Sequence, residues 1–124
     1  MSKAMIVNDS RLEARILSDM LKMMGFEVIL SDEIQALGDM KRFEPDLVLV
    51  NYIMKTIRGD ALIGMMKLLQ PGTSAVLTSS SELIMESFRH RRVDAILRTP
   101  ATQEQVRASI RQAEEHSGHN LMVS

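Results

Sequence analysis

No cysteine occurs in the chain, so neither a disulfide framework nor a thiolate metal site can form, which suits a reducing compartment. Tryptophan is also absent and aromatic residues amount to only 3%, so the core must be filled by aliphatic side chains and by the 11 methionines. Neither sign of charge dominates. A formal net charge of -1 gives no bulk attraction to nucleic acid or anionic lipid, so any basic binding surface must be local. No apolar run approaches membrane-spanning length, and the stretch from Ala4 to Val7 is too short for a signal-peptide core. The expected location is the cytoplasm, without a membrane partner. At 124 residues there is room for one domain with a real core. That domain is expected over residues 1–115, followed by a disordered tail at 116–124 that lacks helical period.

Within these limits, short apolar runs alternate with helix-period segments. Residues 4–8, 26–30, 46–51, 74–78 and 94–97 are dominated by Val, Ile and Leu and read as strands buried on both faces. The first helix is predicted from Ser10 and Glu13, spaced as a capping box, with Leu12, Ile16, Leu17, Met20, Leu21 and Met24 turned inward and Gly25 as its stop. The second starts near Asp32, with Gln35 at box spacing, and buries Ile34, Leu37 and Met40 before Pro45. The third runs from about Asp60 to Leu69 and ends at Pro71-Gly72. The fourth starts in Ser79, Ser80 and Ser81, with Glu82 completing a box and Leu83, Ile84 and Phe88 inward. The fifth follows Pro100, has Thr102 and Gln105 as its box, and buries Val106, Ile110 and Ala113.

Five β-then-α units predict an α/β fold: a three-layer, doubly wound, five-stranded parallel sheet with right-handed crossovers. Function in such a sheet belongs at the carboxyl ends of the strands. There stand Asn8, Asp9, Asn51, Thr78 and Thr99. Together with their neighbours, in the segments IVNDSR (6–11), DLVLVNYIM (46–54), VLTS (76–79) and ILRTP (96–100), they resemble the receiver domains of two-component response regulators, the CheY-like family. The resemblance covers Lys3 to about Glu115 and implies a flavodoxin-like strand order of 2-1-3-4-5. It further implies phosphoryl transfer to an aspartate at the end of the third strand, an acidic pair after the first strand that holds Mg²⁺, and hydroxyl and lysine groups at the ends of the fourth and fifth strands.

Against that pattern this chain is degenerate. Asn51 stands at the phosphoacceptor position, Asn8 replaces the first acid, and Thr99 replaces the lysine before Pro100, leaving Asp9 and Thr78. An amide nitrogen has a delocalised lone pair and no negative charge with which to attack phosphorus. Asp9 alone offers too few charged oxygens for Mg²⁺. The chain is therefore expected to bind no metal or cofactor and to have no enzymatic activity. Ile96 occupies the switch position where receivers carry an aromatic residue, and the resemblance implies a cis Thr99-Pro100 bond. Lys55 and Arg58 read as solvated loop cations, or as cations filling the space of a metal near Asp9.

Arg89, His90, Arg91 and Arg92 form a basic run that either complements a helix dipole or begins a docking face. The resemblance implies a docking face on the fourth helix, fifth strand and fifth helix, extended here by Arg98, Arg107 and Arg111. The expected function is thus that of an atypical receiver domain acting through phosphorylation-independent protein contacts, with a homodimer compatible. Two other readings stay open: phosphorylation of a hydroxyl such as Thr56, Tyr52 or Ser80 by a kinase, and sensing of a small ligand in the vacated acidic pocket. Direct nucleic-acid binding is not expected without a helix-turn-helix segment or aromatic interleaving. His116 and His119 read as solvated tail residues. No glycine-rich phosphate loop follows any strand, which disfavours a flavin or dinucleotide enzyme.

Overall fold

Alternate residues along a strand point to opposite faces, and here both faces are apolar. In the computed structural model, which describes residues 2–81 and 92–118, this pattern divides the core in two. The strands are β1 (Lys3–Val7), β2 (Glu27–Ser31), β3 (Leu47–Asn51), β4 (Ser74–Ser79) and β5 (Ala95–Arg98); the helices are α1 (Arg11–Met23), α2 (Ala36–Phe43), α3 (Gly59–Leu69) and α4 (Gln103–Ser117). Ala4, Ile6, Leu47, Leu49, Val76 and Leu97 pack with Leu17 and Leu21 of α1 and with Val106, Ile110 and Ala113 of α4. Their strand neighbours Met5, Val7, Val48, Val50, Ala75 and Leu77 pack with Ala36 and Met40 of α2 and with Leu62, Ile63 and Met66 of α3. All strands are parallel, in the order β2-β1-β3-β4-β5. The chain is therefore the expected three-layer, doubly wound sheet, with the carboxyl ends of its strands on one rim.

Local chemistry sets the helix ends. Ser10 Oγ accepts from the Glu13 N–H at 3.3 Å to start α1. Gly25, at φ +95, lets the chain turn back so that its N–H reaches Lys22 O and the Phe26 N–H reaches Leu21 O. At α4 both halves of the Thr102–Gln105 capping box form, at 3.2 and 2.9 Å.

Several boundaries differ from the sequence expectation. Helix α2 starts at Ala36, not near Asp32, because the Asp32 carboxylate takes the N–H groups of Ile34 and Gln35 in a tight turn that delays the helix. Ile34, expected inward, is 83% exposed on that turn. Leu12 and Ile16 of α1 also face solvent, because only the Ala14, Leu17 and Leu21 stripe meets the sheet. Strand β2 lies at the sheet edge and is not buried on both faces; Leu30 is half exposed. Helix α4 runs past Glu115 to Ser117 and stops at Gly118 in the left-handed region. His116 is not a solvated tail residue: its Nδ1 lies 2.7 Å from Asp94 Oδ1. The expected fourth helix, with Leu83, Ile84 and Phe88, lies outside the described residues, as do residues 119–124 of the tail.

At the rim opposite the strand carboxyl ends, Asp94 ties three elements together. Its buried carboxylate accepts from Ala75 N–H at 2.7 Å and Lys67 Nζ at 2.6 Å, with the His116 ring on its other oxygen. Replacing it with alanine would leave a largely buried lysine and a backbone N–H unpaired. Asp94→Ala is expected to lower the unfolding free energy by about 3 kcal/mol, measured by urea denaturation.

Candidate functional site

The parallel register brings the ends of β1, β3 and β4 level, pairing Val7 with Val50 and Asn51 with Thr78. Asn8, one residue past β1, is buried and fully engaged. Its Oδ1 accepts from the Ser10 N–H at 2.9 Å, and its Nδ2 donates to Glu13 Oε1 at 3.0 Å. The Glu13 carboxylate therefore does not close the expected capping box at α1. It turns instead to the rim, a role its capping-box spacing concealed. Asp9 is exposed beside it.

Asn51 ends β3. Its Nδ2 donates to Ile53 O at 2.8 Å, and its Oδ1 lies 3.5 Å from the buried Thr78 hydroxyl. Thr99 is buried, and its Oγ1 finds no hydrogen-bond partner among the described residues. The Thr99-Pro100 bond is cis. Ile96, expected at the switch position, is half-buried against the core on the α2 and α3 face.

A glycine that sequence reasoning passed over is the tightest point of the rim. A Cβ on Gly59 would lie 2.2 Å from the Asn51 carbonyl oxygen and 2.9 Å from Leu77 Cδ1, so the first turn of α3 can rest on β3 only without a side chain. The Gly59 N–H donates to Tyr52 O at 2.8 Å, completing the seat.

The intervening loop is held by a residue far away in sequence. Glu33 accepts at Oε2 from the Thr56 hydroxyl at 2.6 Å, the Thr56 N–H at 2.8 Å and the Ile57 N–H at 3.2 Å, and at Oε1 from the Lys55 N–H at 3.1 Å. The Thr56 hydroxyl, with the backbone N–H groups, holds the Glu33 carboxyl below the usual glutamate range. Arg58 stacks over the Tyr52 ring at 5.9 Å and reaches Asp60 at 3.5 Å, so it does not fill a metal space near Asp9. Lys55 is exposed and lines, with Asn8 and Asp9, a groove of about 740 Å³ between α1 and the β2–α2 turn. Of the candidate hydroxyls, Ser80 is exposed, Tyr52 is buried and Thr56 is bonded to Glu33.

Among solved structures the chain is similar to a response regulator receiver domain from Clostridium thermocellum, at 16% identity and TM-score 0.79 over 95% of this chain and 98% of that one. It is likewise similar to a CheY-like receiver domain from Methanospirillum hungatei JF-1, at 18% identity and TM-score 0.81 over 97% and 99% of the two chains. NtrX from Brucella abortus matches at 21% identity and TM-score 0.83, over 95% of this chain and 28% of that longer one. The fold is that of a CheY-like receiver domain. No family model and no curated protein matches the sequence.

A receiver fold implies Mg²⁺ at this rim, and the residues present do not fit it. Asn8 and Asn51 offer neutral amide oxygens where a hard cation needs carboxylate charge, and those oxygens already face the Ser10 N–H and the Thr78 hydroxyl. Among the described residues no group of three His, Asp or Glu side chains could hold a metal.

Of the arginines expected on a docking face, Arg92, Arg98, Arg107 and Arg111 lie among the described residues. Arg98 lines a groove of about 250 Å³ between β5 and α4, with Ile96, Gln105, Ala108 and Gln112. At 100° per residue, Arg107 lies away from Gln105 and Gln112 on α4, whereas Arg111, three residues on from Ala108, is its neighbour on the helix surface. Arg92 lies along α3, its Nη1 3.4 Å from Gly64 O. Arg89, His90 and Arg91 lie outside the described residues. No helix among those described is long and apolar enough to cross a membrane.

Two outcomes are expected. Gly59→Ala, which drives a Cβ into a backbone carbonyl, lowers stability by about 2 kcal/mol in chemical denaturation. The Glu33 contact contributes fully above the pKa of an unfolded glutamate, about 4.3, and is lost only as pH falls through the depressed folded value. In NMR, the amides of Lys55, Thr56 and Ile57 therefore hold their shifts through that range and move only below it.

Proposed function

We propose that this chain is an atypical receiver module that signals by docking to a protein partner, without aspartyl phosphorylation. The observation that carries the proposal is Asn51: the end of β3 presents an amide, already bonded to Ile53 O, where a receiver needs a nucleophilic carboxylate. The self-satisfied Asn8 supports the same reading, since it leaves no acidic pair to bind metal. Without metal and lysine, a transferring phosphoryl group would find little charge to stabilise it.

The groove between β5 and α4 is the docking surface that fits best. Strand β5 pairs only with β4 among the described residues, and Arg98 adds a cation beside Ile96 and Ala108. Tested by pull-down from the native cytosol, Arg98→Glu is expected to lose a partner that both the wild type and Asn51→Ala retain. Loss with Asn51→Ala and retention with Arg98→Glu would overturn the reading.

A second expectation concerns metal. In calorimetry the wild type shows no saturable Mg²⁺ binding, whereas the Asn8→Asp, Asn51→Asp double variant gains it, because two new carboxylates then share the rim with Asp9. Without metal, the same variant is less stable than the wild type, through repulsion among those groups.

A further inference from the structure

Three successive backbone N–H groups, of Lys55, Thr56 and Ile57, and the Thr56 hydroxyl converge on one carboxylate, that of Glu33. Such a run of N–H groups is a concave anion site, and four donors on one carboxylate exceed what a simple tie between two turns requires. The cradle is open: Lys55 and Thr56 are exposed, so its occupant can leave without disturbing the core. It also borders the 740 Å³ groove, which both Glu33 and Lys55 line together with Arg11 and Arg15. The charged residues of that groove balance, with Arg11, Arg15, Lys22 and Lys55 against Asp9, Asp19, Asp32 and Glu33. Removing the Glu33 charge leaves the groove net positive.

We propose that the loop at residues 55–57 is an oxyanion-binding site that the chain's own Glu33 fills, and that a carboxylate or phosphoryl group entering through the groove takes its place. The exchange releases the β2–α2 turn from the loop that follows Asn51. The site uses neither Asn51 nor the β5–α4 groove, so it stands or falls apart from the docking reading.

The test is NMR titration of the full chain, as wild type and as Glu33→Ala, with acetate and with inorganic phosphate separately at constant ionic strength. In Glu33→Ala, the amides of Lys55, Thr56 and Ile57 are expected to shift saturably. The wild type should respond about tenfold more weakly or not at all, because its tethered carboxylate competes at high effective concentration. Saturation by acetate alone assigns the site to carboxylate ligands, and tighter saturation by phosphate assigns it to phosphoryl groups; either supports the proposal. Thr56→Val in the Glu33→Ala background should weaken binding about fivefold through loss of the hydroxyl. Should Glu33→Ala not fold, Glu33→Gln, which keeps an accepting oxygen but no charge, undergoes the same titration. Amides that ignore both anions in the variant, or respond equally in variant and wild type, would overturn the proposal.

Discussion

Carboxylates that converge on one crevice repel one another unless a cation sits among them, and the rim of this sheet is built to avoid that condition. Asn8 and Asn51 place neutral amides at the ends of β1 and β3, and each amide is satisfied by its own surroundings: Ser10 and Glu13 for one, Ile53 and Thr78 for the other. Thr99, buried at the end of β5, likewise adds no charge to the rim. The helix that closes the rim is seated by backbone contacts instead. Helix α3 rests on the Asn51 carbonyl through Gly59, and the loop between them is fixed by Glu33.

Strand and helix alternation, the parallel sheet and the rim residues were legible in the sequence because each rests on a local rule. Continuous Val, Ile and Leu runs fit strands buried on both faces, and Ser10 and Thr102 mark helix starts by side-chain reach alone. The strand order came from resemblance and not from periodicity. What escaped were choices made by tertiary partners. Asp32 competes for the N–H groups of the next turn and delays α2, and Glu13 prefers Asn8 to its own helix cap. Leu12, Ile16 and Ile34 satisfy helical spacing yet lie beyond the reach of the sheet.

The same limit governed the site. Glu33 is 22 to 24 residues from the loop it holds, and Gly59 matters only because a carbonyl approaches it. Neither contact has a sequence signature. The arginines show the same: Arg92 lies along α3 and Arg98 lines the β5–α4 groove, contacts that their positions in the sequence do not reveal. The docking proposed for the β5–α4 groove would require apolar contact at Ile96 and Ala108 as well as the Arg98 cation.

The central claim is that Asn51 does not accept a phosphoryl group. It is tested most directly by recording amide NMR spectra with and without beryllofluoride and Mg²⁺, the mimic of an aspartyl phosphate. Superimposable spectra are the predicted result, while saturable shifts centred on Asn8, Asp9, Asn51 and Thr78 would contradict the account.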